Sequence, residues 1–542
     1  MRKLIAIATA ALAATSPALA QPAKPPKLII AISVDQFSAD LFDEYRPRLT
    51  GGIARLASGT AYRNGYQGHN ATETCPGHST ILTGSRPSRT GIIANTWFKL
   101  DQTRSDKAVY CAEDERVPGS SSSKYTVSPV HLRVPALGEW MKAANPASRS
   151  VAVAGKDRAA VMMSGQRPDQ RWYWDGKQYA TDLSGVATPV SVTAANQAVA
   201  ALIAAPGLPL TLPADCVAKA RSVPLGDGKV SVGAGRFERA AGDARGFRAT
   251  PAFDGMTLAL GARLIGEMQL GKGPATDIIA IGLSATDYVG HSLGTGGAEM
   301  CLQLHSLDSD LGDFLKLMDR SGVDYAVVLT ADHGGEDVPE RLRIKGVTAA
   351  ARTRPDLTPA AIGKAIGAKL GLAGPVLIGE GAAGDVYLDT ALKPADRRRA
   401  ETAALAMYRA DPQVEAVFTR AQIARTPSPT SSPDRWSLIE RARASFNAER
   451  SGDLVVLLKR NVTPIANPSK GYVATHGSPW DYDRRVPILF WRPGAKANDR
   501  AEAVETADIM PTLAALIGVA VDGSKIDGHC LASAAIAACP AR

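Results

Sequence analysis

Five short apolar runs constrain this chain more than any other feature: residues 27–34, 151–154, 277–283, 325–330 and 486–491. Each has the length of a strand, and each is apolar continuously rather than on alternate residues. A strand that reads this way is buried on both faces, as in a parallel sheet. Helical patterns separate the runs at 258–268, 299–318 and 506–517. The alternation predicts an α/β fold with a three-layer core: a mostly parallel sheet flanked by helices, with inserted cap segments. Ligands of such sheets gather at the carboxyl ends of strands, so the residues just beyond each run carry the most information.

The 542 residues hold 45% apolar and 21% charged side chains, the composition of a folded protein. One domain over 28–527 is expected, with insertions near 166–248 and 346–468 that are rich in turn signals, such as the Pro/Ser stretch at 426–433. Arg2, Lys3, the apolar run 4–14 and Ala18-Leu19-Ala20 read as a signal peptide cleaved after Ala20, followed by a Pro/Lys linker at 21–27. A retained anchor is the alternative. No later segment reaches the ~18 apolar residues of a membrane span, so a periplasmic or secreted protein without a stable membrane anchor is expected. Export implies an oxidising compartment, and six cysteines allow three disulfides. Cys530 with Cys539 would clip the tail at 528–542. Cys75 with Cys111 and Cys216 with Cys301 is one arrangement of the rest; free buried thiols are another. Net charge is +9, two of those charges lying in the leader at Arg2 and Lys3, and the basic residues are dispersed. No nucleic-acid partner is implied; small anionic substrates fit as well. A monomer is expected.

Asp35 follows the first run, Asp287 the run ending at 283, and Asp332 the run ending at 330. Asp332-His333-Gly334-Gly335 puts a carboxylate and an imidazole where glycines let the chain turn tightly, so both can reach one metal. Asp287 and His291 are spaced i, i+4, on one side of a helical turn. His476 lies in a polar, glycine-containing loop. Taken singly, each of these is as well explained by a turn cap or a surface histidine. Thr74 can cap a helix that holds Pro76 in its first turn and ends at Gly84, and free amides there favour a phosphate.

Thr74-Cys-Pro-Gly-His78, Thr83-Gly84 and Gly91-Ile-Ile-Ala-Asn95 together resemble the nucleophile region of the alkaline phosphatase superfamily, closest to its phosphodiesterase/nucleotide pyrophosphatase-like branch. Val34-Asp35, Asp287-x-x-x-His291, Asp332-His333-Gly334 and Thr475-His476-Gly477 follow in that family's order, and residues 506–513 resemble its terminal helix. Gly155-Lys156-Asp157-Arg158 is similar to the Lys-x-Arg pair of the periplasmic PafA-type phosphatases. Cys75-Pro76 departs from the sulfatase pattern Cys-x-Pro-x-Arg, since the proline comes one place early and Ser79 stands where the arginine would be.

The resemblance implies two zinc ions, one held by Asp287, His291 and His476 and the other by Asp35, Asp332, His333 and the Thr74 oxygen. It implies Thr74 as nucleophile, a phosphothreonine intermediate, and Asn95, Lys156 and Arg158 on the non-bridging oxygens. Two cations there favour a monoester dianion. The expectation is therefore an alkaline phosphatase of broad specificity for small phosphate esters, with an alkaline optimum. A phosphodiesterase/nucleotide pyrophosphatase is the rival enzyme; a non-catalytic phosphate or metal binder on the same fold is the rival from another class. Trp97 and Phe98 could line the leaving-group side or belong to the core.

Overall fold

The structure, a computed structural model, describes residues 24–207, 209–534 and Cys539. The signal peptide, its cleavage after Ala20 and the first residues of the linker lie outside the described residues.

Every apolar run is a strand of one large sheet. Leu28–Val34 is its centre and pairs in parallel with Asp277–Leu283 on one side and Tyr325–Thr330 on the other. Ser150–Ala154 adds in parallel beyond Asp277–Leu283. The side chains of the central strand divide strictly by face. Leu28, Ile30, Ile32 and Val34 enter one core, packed by helices Pro251–Glu267 and Ala298–Ser321. Ile29 and Ala31 enter a second core, beneath helices Leu137–Ala144, Asp157–Ser164 and Ile509–Leu516. The result is three layers, helix–sheet–helix, the arrangement that burial on both faces requires.

Two details differ from the sequence reading. Arg485–Trp491 is buried like the other strands but runs antiparallel, between Tyr325–Thr330 and Thr60–Tyr66. Continuous apolarity reports burial on two faces, not direction. The sheet also continues into the stretch beginning at 166: Gln170–Trp174 pairs in parallel with Ser150–Ala154, and Tyr179–Ala180 follows. Gln170 and Arg171 hide this strand in the sequence. Arg171 is buried against Asp182, Nε to Oδ1 2.7 Å.

Within 346–468 a separate antiparallel sheet forms from Leu377–Ile378, Gly384–Leu388, Leu454–Leu458 and Val414–Thr419. It has its own core, including Ile366, Val386, Tyr408 and Val456. Disulfides join Cys75–Cys111, Cys216–Cys301 and Cys530–Cys539. No described helix is long and apolar enough to cross a membrane.

Candidate active site

The strand ends deliver the carboxylates to one place. Asp35 directly follows Leu28–Val34, and its amide bonds to Leu283 O at 2.9 Å. Asp332 and His333 follow Tyr325–Thr330. Asp287 and His291 lie on helix Ala285–Leu293, which begins where Asp277–Leu283 ends. His291 Nε2 sits 3.2 Å from Asp287 Oδ1, so the i, i+4 pair meets as its spacing requires. His476 approaches the same oxygen, Nε2 at 3.4 Å. His333 Nε2 lies 3.3 Å from Asp35 Oδ1 and 3.4 Å from Asp332 Oδ2. The donor atoms of Asp35, Asp332 and His333 lie within 4.8 Å of one another, as do those of Asp287, His333 and His476. His333 therefore stands between the two groups, and its ring stacks on His476 with centroids 3.6 Å apart.

Backbone carbonyls fix the imidazoles. Nδ1 of His291, His333 and His476 bonds to the carbonyls of Ala474, Gly334 and Thr72 at 2.9, 2.8 and 2.8 Å. A donor at Nδ1 leaves Nε2 as the lone-pair nitrogen, turned toward the carboxylates. Burial lowers His291 to a pKa of about 4 and His333 to about 3, so both are neutral near pH 7. His476 moves the other way: burial opposes its charge, but its bond to Asp287 and that carboxylate's charge raise its pKa.

The carboxylates are fully buried. Burial, reinforced by the Asp287 and Asp332 charges, pushes Asp35 well above the usual carboxylate range. Burial acts the same way on Asp287 and Asp332, but is outweighed at Asp287 by His291 and Lys156, and at Asp332 by His333 and His78. Asp35 Oδ1 and His333 Nε2 are buried without a hydrogen-bond partner. Three carboxylates in a dry site demand cations. Carboxylate oxygens and imidazole nitrogens oriented from behind are donors that fit divalent metals such as zinc.

Thr74 departs from its expected position. It is the first residue of helix Thr74–Ile81, with Glu73 in the capping position, and the helix ends before Gly84. Its hydroxyl is thus not occupied as a cap, and Arg158 Nη2 lies 3.4 Å from Oγ1. Asn95 Oδ1 accepts from the Cys75 amide at 2.8 Å, which fixes the amide's orientation and leaves Nδ2 as a donor. Lys156 and Arg158 open helix Asp157–Ser164 after Ser150–Ala154. They do not act alike here. Arg158 faces Thr74, whereas Lys156 Nζ bridges Asp35 Oδ2 at 2.6 Å and Asp287 Oδ2 at 2.5 Å.

A cleft of about 680 Å³ opens over the site, lined by Asn95, Arg158, Asp287, His291 and His476. Residues 380–387 and 456–470, from the separate sheet and the chain that follows it, form much of its other wall. Phe98 lines this cleft, whereas Trp97 is buried in a core with Cys75 and Cys111.

Three contributors escape the sequence reading. Gln36, at φ 65°, donates its amide N–H to Asp332 Oδ1 and Nε2 to Asp287 Oδ1, both at 3.2 Å. A left-handed glutamine has no sequence signature. His78 Nδ1 reaches Asp332 Oδ2 at 3.0 Å; its i+4 spacing from Thr74 was a readable signal. Tyr472 stacks on His291 with centroids 4.2 Å apart. The glycines of Asp332-His333-Gly334-Gly335 also act differently from expectation. Neither has a positive φ; a Cβ would overlap the Tyr482 carbonyl at Gly334 and the Gln36 side chain at Gly335.

The chain belongs to the type I phosphodiesterase / nucleotide pyrophosphatase family, which matches residues 29–479, within the alkaline phosphatase superfamily. Alkaline phosphatase PhoK of a Sphingomonas species is 58% identical to it over 512 residues, 94% of this chain and 91% of that one. Alkaline phosphatase PhoD of Zymomonas mobilis subsp. mobilis is 45% identical over 524 residues, 96% and 90% of the two chains. The crystal structure of alkaline phosphatase PafA, 24% identical, superposes with a TM-score of 0.79 over 94% of this chain and 99% of its own, so the two share a fold.

Proposed function

We propose that this protein, an enzyme of the alkaline phosphatase superfamily, hydrolyses small phosphate monoesters through a phosphothreonine formed on Thr74. The observation that carries this is the pairing of Arg158 Nη2 with Thr74 Oγ1 at 3.4 Å, at the helix start beside the buried Asp/His cluster. The relatives named alkaline phosphatase support the same reading.

Asp287, His291 and His476 would hold one zinc ion; Asp35, Asp332, His333 and the Thr74 oxygen would hold the other. Zinc ions bound there supply a lowered pKa for the Thr74 hydroxyl and charge stabilisation at the leaving oxygen. The chain supplies the rest. Thr74 Oγ1 attacks phosphorus, and the ester bond to the alcohol breaks. Arg158 and Asn95 Nδ2 donate to the non-bridging oxygens, the guanidinium matching the higher charge of a monoester. Lys156 would add a second positive charge from its place between Asp35 and Asp287. Water then releases phosphate from Thr74. Three disulfides support an oxidising, extracytoplasmic location, and a monomer remains the proposed state.

The family description favours a second reading, phosphodiester or pyrophosphate cleavage. Steady-state hydrolysis of p-nitrophenyl phosphate against bis-p-nitrophenyl phosphate separates them. The monoester is expected to be preferred by the zinc-loaded enzyme, and Lys156→Ala/Arg158→Ala to remove most of that preference. Preference for the diester, or a monoester rate indifferent to the double substitution, would move the protein to the second reading.

A further inference from the structure

A second cleft, about 320 Å³, adjoins the first and is lined by Arg245, Arg248, Ser292, Gly471 and Tyr472 among others. Tyr472 belongs to both clefts. Its ring stacks on His291 and is 41% exposed, so this side chain is the partition between them. Ser292 of the second cleft directly follows His291 of the first.

The charge of this side cleft is unbalanced. Among the described residues neither Arg245 nor Arg248 has a carboxylate within ion-pair distance. Asp243 also lines the cleft, its Oδ1 accepting the Gly246 amide at 2.8 Å, so two guanidiniums face one carboxylate and the cleft keeps a net positive charge. Arg248 lies over the Tyr288 ring at 4.4 Å and donates Nη1 to its hydroxyl at 3.2 Å. Lys156 lies 4.9 Å from the centroid of the same ring. One aromatic ring therefore separates the Arg248 cation from the cation that binds Asp35 and Asp287. Lys470, exposed and next to Gly471, lines the main cleft. Positive charge thus runs from the rim of the side cleft to the Asp/His cluster, past His291.

We propose that Arg245, Arg248 and Tyr472 form an accessory subsite for an anionic substituent on the alcohol portion of the substrate, so that monoesters whose leaving group carries a carboxylate or a second phosphate are favoured. This rests on the phosphatase reading. An aromatic wall beside the reaction centre, with a cleft of net positive charge behind it, suits a leaving group that is apolar near the ester oxygen and charged farther out.

The test compares phenyl phosphate with 4-carboxyphenyl phosphate on the zinc-loaded enzyme, using wild type, Arg245→Gln and Arg245→Glu. The readout is the change, from protein to protein, in the ratio of kcat/KM for the carboxylated over the plain ester, a comparison in which the intrinsic reactivity of the phenols cancels. The ratio is expected to fall by about three- to tenfold in Arg245→Gln and further in Arg245→Glu. In wild type it is expected to fall with added salt, because the attraction is screened. A ratio that stays constant across the three proteins and with salt overturns the subsite while leaving the phosphatase reading intact. Failure of wild type to hydrolyse either ester overturns the phosphatase reading itself.

Discussion

Lys156 Nζ lies 2.6 Å from Asp35 Oδ2, in a pair to which solvent has almost no access. The same ammonium reaches Asp287, so one side chain holds together groups assigned to different metals. Burial works against its charge, but Asp287 and Asp35 raise its pKa above the ordinary lysine value. Lys156→Met would leave two buried carboxylates without their cation, and such losses cost about 3–5 kcal/mol. Urea denaturation of chelator-treated wild type and variant should show a loss of that order. A variant as stable as wild type would mean the pair contributes nothing to the fold.

Metal removal and loss of the nucleophile should be separable. Dialysis against a chelator is expected to abolish p-nitrophenyl phosphate turnover, and added zinc to restore it. In the zinc-loaded state Thr74→Ala should lower turnover at least about a thousandfold, while elemental analysis still finds bound metal. Substantial activity in Thr74→Ala would remove the phosphothreonine from the mechanism.

Gly77 lies in helix Thr74–Ile81, where a Cβ would overlap the Asp332 carbonyl oxygen. Backbone on both sides of that contact leaves little room to yield. Gly77→Ala should destabilise by about 1–3 kcal/mol through overpacking and move Thr74 away from the cluster. Thermal denaturation and kcat measured together check this, and unchanged values for both would show that the helix can shift freely.

Asp254 sits at the start of helix Ala285–Leu293, which carries Asp287 and His291. Its Oδ1 accepts the Ser284 and Ala285 amides at 2.7 and 2.9 Å, and Gln303 Nε2 reaches Oδ2 at 3.1 Å. Burial raises its pKa from the ordinary 3.8 to about 7, against the effect of these bonds. Because the folded pKa is the higher one, the contribution of this group is fullest below about pH 4 and is lost as pH rises toward 7. Asp254→Asn keeps the acceptor and does not ionise; Gln303, whose Oε1 lacks a partner, can turn to meet the new amide. The variant should therefore gain on wild type by roughly 4 kcal/mol between pH 4 and 7.5. Urea midpoints at the two pH values measure the difference. A gap that does not change with pH would show that Asp254 ionises normally.

The central sheet was readable because its strands are apolar throughout, and residues 27–34 needed no other signal. The strand Gln170–Trp174 was not, since buried Arg171 relies on Asp182, which lies beyond a turn. At the site, the strand ends pointed to Asp35, Asp287 and Asp332. The roles of Gln36 and Tyr472 depend on a backbone angle and on a ring stack between distant segments, and neither is written locally. Lys156 was legible as a cation near the site, but not as the bridge between two carboxylates, because that contact is set by how adjacent strands line up.

The cluster draws on segments from Asp35 to His476, and the strand just beyond His476, Arg485–Trp491, fits between two strands contributed by earlier parts of the chain. A growing polypeptide therefore cannot assemble the centre piecemeal. Until nearly all of it has been synthesised, the loop carrying His476 is not there to meet Thr72 and His291, and contacts so distant in sequence form slowly. Catalysis is in this way deferred to the last stage of maturation, and a chain truncated before that strand would accumulate as an inert product rather than a weak enzyme.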